Sequence, residues 1–459
     1  MGSSAATVAR TGFSSSFGVL AATLGSAVGL GNLWKFPYLT GANGGAGFLL
    51  IYLLATFLIG LPVMIAEIAI GRRAKANPIT ALQNLAPARA PWWLIGLSGM
   101  VAAFLILSFY SEVVAWVFAY VLKAVDGSIL SSDPQVTQAA FAALIGNPWQ
   151  SLLWQWGVLC LIGGILLMGV SGGIEAITKK LMPLLFLLLL LLCGFSLSLE
   201  GAGKGLAFLF QPDWGKLGPA AILTAMGLAF FKLSIGMGTM MTYGSYFRDD
   251  QDIPKTALRV MAADLCVSLL AGMAIFPAVF TFGFAASAGP SLVFITIPAV
   301  FAQMPMGHVL MVVFFVLASV AAIGAMLSLM EVPVAIMHER FGWSRARATL
   351  VALLLLMATG SVCALSNNVL ADFRLWGLNM FDLFDYLSSN VLLPLGGICI
   401  ALFVGWSWGL LSFRQALSTG PGIGREAGGA RWAGAIFFLL RYVSPLLILA
   451  VMLQGLNLL

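Results

Sequence analysis

Charge is scarce in this chain. Asp, Glu, Lys and Arg together make up 9% of its 459 residues, and there are two histidines. A globular domain in water carries roughly 25% charged residues, so a soluble enzyme or a soluble nucleic-acid binder is excluded. Histidine and cysteine give no metal or disulfide pattern either. Cys160, Cys193, Cys266, Cys363 and Cys399 stand in apolar stretches without CxxC spacing, and His308 and His338 lie singly near the ends of such stretches. HExxH, GxSxG and GxxxxGK[ST] do not occur, and GLGNLW is not a GxGxxG phosphate loop, so an intramembrane enzyme has no support. The start of the chain lacks a short apolar segment followed by a cleavage pattern, and the first apolar run reads as a retained helix. Long linkers are missing too; the largest polar insertions are 123–150 and 199–217.

What is present is apolar surface. Hydrophobic residues make up 61% of the chain, which describes a polytopic all-α membrane protein. Crossing a hydrocarbon layer of about 30 Å takes roughly 20 residues of helix. Eleven such stretches are predicted, at 14–38, 43–71, 93–122, 151–170, 176–198, 218–246, 256–285, 305–338, 346–366, 386–412 and 433–457. With the N-terminus cytoplasmic, 16 of the 23 basic residues fall in cytoplasmic segments or at the cytoplasmic ends of spans, as the positive-inside bias requires, and the C-terminus lies outside. Only Lys123, Lys204, Lys216 and Arg374 fall in external loops, while Lys35, Lys232 and Arg441 sit within spans. The net charge of +6 is thus a topology signal, and no nucleic-acid partner is implied. The segment 286–304 reads as a short helical loop over the outer face, placed to act as a lid.

Two spans are interrupted by glycine at related places, Gly25 to Asn32 in the first and Ser234 to Met241 in the sixth. Each glycine costs a helix about 1 kcal/mol relative to alanine. Clustered at mid-depth, they predict broken backbone, which lipid tolerates only around a cavity or inside protein. Paired breaks five spans apart point to inverted repeats with a binding site between them. Close helix packing through small residues is the competing reading of the same glycines. Beside the second break stands Lys232, and a charge at a helix centre costs about 2.5 to 3.5 kcal/mol on insertion scales.

GSAVGLGNLWKFPYLTGANGGAGF followed by LPVMIAEIAIGR, then FFKLSIGMGTMMTYGSYFRDDQDI, LLAGMAIFPAVF and LFDYLSSNVLLPLGG, resembles the neurotransmitter:sodium symporter family, bacterial leucine transporter included, over about residues 10–455. The resemblance implies inverted five-helix repeats (5+5) plus an eleventh helix, with spans 1 and 6 unwound at mid-membrane. The implied division is 1–13 cytoplasmic, 14–198 first repeat, 199–217 external loop, 218–412 second repeat, 413–432 cytoplasmic loop and 433–459 last span. It also implies a substrate site: Tyr110, Leu30 and Gly31 for a carboxylate, and Ser26, Ala27, Phe231, Lys232 and Ser234 around an amino group. Ile106, Phe231, Met237, Met326 and Leu329 would meet the side chain. Lys35 and Asp385, with Tyr110 and Phe231, match the outer gate, lysine standing where arginine is usual. Arg10, Ser245, Tyr246 and Glu339 match the inner gate, with Phe13 in place of the usual tryptophan.

The ion positions depart from the family pattern. The first comprises Ala27, Asn32, Lys232 and Asp264, with an ammonium where a hydroxyl is usual. Opposite charges about 4 Å apart attract by about 4 kcal/mol at an effective dielectric of 20, which offsets much of the burial cost. The lysine head group is thus expected to replace one sodium, pairing with Asp264 and with the substrate carboxylate; snorkelling away from the site is the alternative. The second position comprises Gly25, Val28, Ala321, Gly324 and Ala325, with neither usual hydroxyl; water in their stead is the alternative. Chloride is not expected, since Leu228 and Lys232 occupy positions associated with it, although Ser268 remains. Glu67, Glu112 and Glu331 read as structural.

These readings predict an alternating-access transporter of neutral, hydrophobic, zwitterionic amino acids in the cytoplasmic membrane, acting as a monomer or weak dimer. No cofactor is expected, and sodium coupling is expected to be weakened or absent, with sodium-independent exchange or proton coupling in its place. A sodium symporter keeping one site, and an amino-acid sensor that does not transport, are the alternatives.

Overall fold

The computed structural model describes residues 12–283, 293–418, 428–456 and 458. Arg10 and the first part of the 286–304 loop lie outside them; the rest of that loop contains the short helix Thr296–Ala302. Nine helices among the described residues are long and apolar enough to cross a membrane. They are Ala46–Ala74, Trp93–Val125, Pro148–Leu167, Val170–Leu197, Ile253–Thr281, Gly307–Arg340, Arg345–Leu365, Met380–Leu417 and Trp432–Gly455. Two broken elements complete the order. Ser16–Ala27 and Gly31–Ala42 form a pair bent by 51°, and Pro219–Lys232 continues after a gap as Thr239–Ser245. Counted as spans 1 to 11 along the chain, the broken ones are spans 1 and 6.

Helix starts carry the side chains that satisfy free backbone N–H groups. Ser15 caps span 1, Asn147 span 4, Asp252 span 7, Ser344 span 9 and Asn379 span 10. The breaks are of a different kind. Span 1 leaves helical geometry at Val28, which is extended, and resumes as the π turn Gly31–Lys35. Span 6 leaves it after Lys232, with φ of 53° at Ser234, 83° at Gly236 and 76° at Gly238. A left-handed φ strains any residue with a Cβ. At Gly236 a Cβ would also press on the carbonyl oxygen of Leu393 and the ring of Phe230.

Backbone freed by a break inside a membrane needs new partners. Gly236 N–H donates to Glu67 Oε1 at 2.6 Å, a carboxylate supplied by span 2. Ser234 Oγ donates to the carbonyl of Ser26 at 2.8 Å, which ties the two breaks together. Gly29 N–H donates to Asn32 Oδ1 at 3.2 Å, and Leu30 N–H to Tyr110 Oη at 3.3 Å. Span 8 runs along span 3, and the second half of span 6 packs on span 2, so the breaks face each other at the centre of the bundle.

Candidate functional site

Between the breaks lies a cavity with about 60 Å³ of space for water centres. Its walls include Ser26, Ala27, Gly31, Ile106, Tyr110, Phe231, Lys232, Ser234, Met237 and Leu329, all named from the sequence, together with Gly29, Asn32 and Ala325. Leu30 and Met326 are not on its surface; Leu30 instead turns its N–H to Tyr110, and Met326 is buried. One end is polar. Tyr110 Oη accepts from Leu30, which leaves its proton to donate, and Ser234 Oγ donates to Ser26, which leaves its lone pairs to accept. The wall formed by Ile106, Phe231, Met237, Ala325 and Leu329 is apolar.

Lys232 is enclosed rather than snorkelling: its side chain and that of Asp264 are both 0% exposed. Its ammonium donates to Tyr52 Oη at 2.9 Å, to Asp264 Oδ2 at 3.2 Å, and to Ser268 Oγ. An ammonium has three N–H donors, and all three are engaged. The head group therefore points toward Tyr52 of span 2 and toward Asp264 and Ser268 of span 7. Asn32 Nδ2 closes the cluster on Asp264 Oδ1 at 2.7 Å and Ser268 Oγ at 3.1 Å. Tyr52 is the member that sequence reasoning missed; a tyrosine inside GFLLIYLLATF was the available signal.

At the second ion position the structure brings span 1 against span 8. A Cβ on Gly324 would stand 2.7 Å from the carbonyl oxygen of Gly25 and 3.1 Å from its Cα. Glycine at 324 is what lets the two backbones approach so closely. Ala321 and Val28 are buried nearby in sequence, and Ala325 faces the cavity.

The gate residues are arranged unevenly. Lys35 Nζ stands over the ring of Phe231, 4.1 Å from its centroid, while Asp385 Oδ1 accepts from Ser389 Oγ at 2.7 Å. No ion pair joins Lys35 to Asp385 among the described residues. On the inner side Glu339 accepts from Asn77 N–H and Nδ2 at 2.8 and 2.9 Å, and Ser245 Oγ donates to Thr242 O. Tyr246 Oη donates to Glu331 Oε1 at 2.6 Å, and Arg345 grips the same carboxylate with two nitrogens at 2.9 and 2.6 Å. Phe13 closes edge-on against Tyr243 and Tyr246. The Glu331 and Arg345 pair was not foreseen as a unit; the signal was a carboxylate inside the apolar run SLMEVPVAI.

Comparison with known proteins follows from this geometry. The chain matches the family described as "Sodium:neurotransmitter symporter family" over residues 10–133 and 145–458. It is 40% identical over 442 residues to a sodium-dependent transporter, YhdH, of Bacillus subtilis, covering 96% of this chain and 97% of that one. A sodium-dependent transporter of Haemophilus influenzae is 32% identical over 392 residues, covering 83% and 86%. The crystal structure of MhsT in complex with L-phenylalanine superposes with a TM-score of 0.88 at 41% identity, over 97% of this chain and 100% of that one. The names of these relatives overturn the expectation that sodium is doubtful. That expectation rested on the ammonium of Lys232 at the first position and on the two hydroxyls missing at Gly324 and Ala325, which left three carbonyls, those of Gly25, Val28 and Ala321, as too few ligands for sodium.

Proposed function

The chain belongs to the sodium:neurotransmitter symporter family, and from that premise we propose a sodium-driven transporter of neutral, hydrophobic amino acids, working by alternating access. It is a multi-pass membrane protein and a transporter rather than an enzyme. The membrane is the cytoplasmic one, with the N-terminus inside and the C-terminus outside. Residues 14–198 and 218–412 are the inverted repeats that rock against each other about the cavity.

One observation carries the substrate reading: the lining has an apolar wall, a polar end, and a single ionic side chain whose head group is already engaged. A charged substrate side chain would be buried there without a counter-ion, which is strongly unfavourable. A zwitterion fits instead. Its carboxylate meets the Tyr110 hydroxyl and the N–H of Gly31 at the break of span 1, where a half-helix start favours negative charge. Its ammonium meets Ser234 Oγ and the carbonyls around Ala27 and Phe231.

Lys232 acts as a resident cation at the first ion position, neutralising Asp264 in the place of a dissolved ion. The sodium that drives transport is held at the second position by the carbonyls of Gly25, Val28 and Ala321, completed by water. The test is uptake of labelled leucine and phenylalanine by proteoliposomes under an inward sodium gradient. Accumulation that collapses when choline replaces sodium, and that excess lysine or glutamate does not inhibit, is expected. Uptake indifferent to sodium, or strong competition by a charged amino acid, would overturn the reading. Lys232→Thr is expected to add a sodium to the cycle and so to steepen the sodium dependence.

A further inference from the structure

Arg441 is a cation within a span that the transport site does not use. It lies nine positions beyond Trp432 in span 11 and against the segment Phe403–Trp408 of span 10, whose Ser407 and Trp408 line a cleft with Asn84 and with Arg73 at the end of span 2. Among the described residues no carboxylate pairs with it. Its guanidinium lies over the Trp406 ring, 4.3 Å from the centroid, and beside the Tyr442 ring at 5.5 Å. Both rings belong to the outer surface of the bundle, with Trp406 60% and Tyr442 45% exposed.

The backbone around Arg441 is specialised. Span 10 is a π segment at Phe403–Trp408 and span 11 is one at Leu439–Val443, and the two abut. Single π turns inside α-helices are frequent at functional sites. Gly405 lets the two backbones close up, since a Cβ there would stand 2.8 Å from Arg441 Cα and 3.3 Å from its Cγ. Trp406 Nε1 donates to the Arg441 carbonyl at 3.2 Å, which fixes the indole under the guanidinium. Arg441 Nε is shielded without an acceptor, and no hydrogen bond engages its terminal nitrogens among the described residues.

We propose that Arg441, Trp406 and Tyr442 form a lipid-facing site for the phosphate of an anionic phospholipid in the leaflet nearest Trp432. A guanidinium fork matches a phosphate with two parallel hydrogen bonds, while its aliphatic stem lies along apolar surface. The uncompensated positive charge selects a lipid with net negative charge over a zwitterionic one, whose own cation competes.

The full chain in nanodiscs of phosphatidylcholine with a minority of phosphatidylglycerol, examined by native mass spectrometry, tests the site. Retained phosphatidylglycerol is expected to fall about five-fold in Arg441→Gln and less in Arg441→Lys, the increment of one basic residue near an anionic surface. Trp406→Ala is expected to act in the same direction, which covers a failure of the first variant to fold. Equal phosphatidylglycerol retention by wild type and both variants, or equal retention of phosphatidylcholine, would overturn the site. A dimer that the variants lose would do so as well, by assigning Arg441 to a second copy of the chain.

Discussion

The ammonium of Lys232 and the carboxylate of Asp264 are both fully buried, so each is tolerable only because of the other. Removing one partner of a buried pair costs about 3 to 5 kcal/mol, because the remaining charge is left without a counter-ion. Asp264→Ala and Lys232→Met are therefore each expected to lower the thermal midpoint in detergent sharply, and the double variant to be more stable than the sum of the single losses implies; a thermal-shift double-mutant cycle reads this directly. Tyr110 raises a question of affinity rather than stability. Its hydroxyl accepts from Leu30 and has a proton to give. A hydrogen bond to a charged group is worth about 1.5 to 3 kcal/mol, so Tyr110→Phe is expected to weaken amino-acid binding roughly ten-fold or more in an equilibrium binding assay. The pairing of Lys232 with Asp264 was legible because a charge in an apolar run demands a partner. Tyr52 was not, since a lone tyrosine in a span is compatible with many neighbours, and only its 2.9 Å contact gives it a role.

At the scale of the helix, glycine proved the clearest signal. Clusters in GSAVGLGN and SIGMGTMM located both breaks, and predicted span ends fell within a few residues of the observed ones because hydropathy alone sets them. How the freed backbone would be satisfied was not legible. Glu67 read as structural, and the specific N–H it serves, that of Gly236, depends on how span 2 is rotated in the bundle. Gly236→Ala is expected to reduce the yield of folded protein in size-exclusion chromatography, since both its φ of 83° and its contact with Leu393 forbid a side chain. Gly324 differs in having ordinary helical geometry and only a tight neighbour. Gly324→Ala is expected to separate spans 1 and 8 by a few tenths of an ångström and to lower sodium affinity, measured as a rise in the sodium concentration for half-maximal uptake.

For the whole molecule, the distribution of basic residues makes a statement about sidedness. Trp376, 85% exposed, belongs to the face assigned outward, and the exposed Gln83 to the face assigned inward. An impermeant maleimide applied to intact cells is expected to label Trp376→Cys and to spare Gln83→Cys; the reverse pattern would invert the assignment. Gate geometry was the least legible feature at this scale. Lys35 stacks on Phe231 rather than pairing with Asp385, and Arg345 joins Tyr246 through Glu331. Which of several compatible charges meet depends on the conformation in which the two halves of the bundle stand.

A further consequence follows from the amine enclosed between Tyr52, Asp264 and Ser268. Moving one elementary charge through a potential of 100 mV is worth about 2.3 kcal/mol, and a dissolved ion contributes that work each time it is carried across and released. An amine bonded to the main chain returns to its starting point with every turnover. It therefore carries no net current, and over a complete cycle with a neutral substrate the voltage does net work only on the sodium that dissociates on the far side.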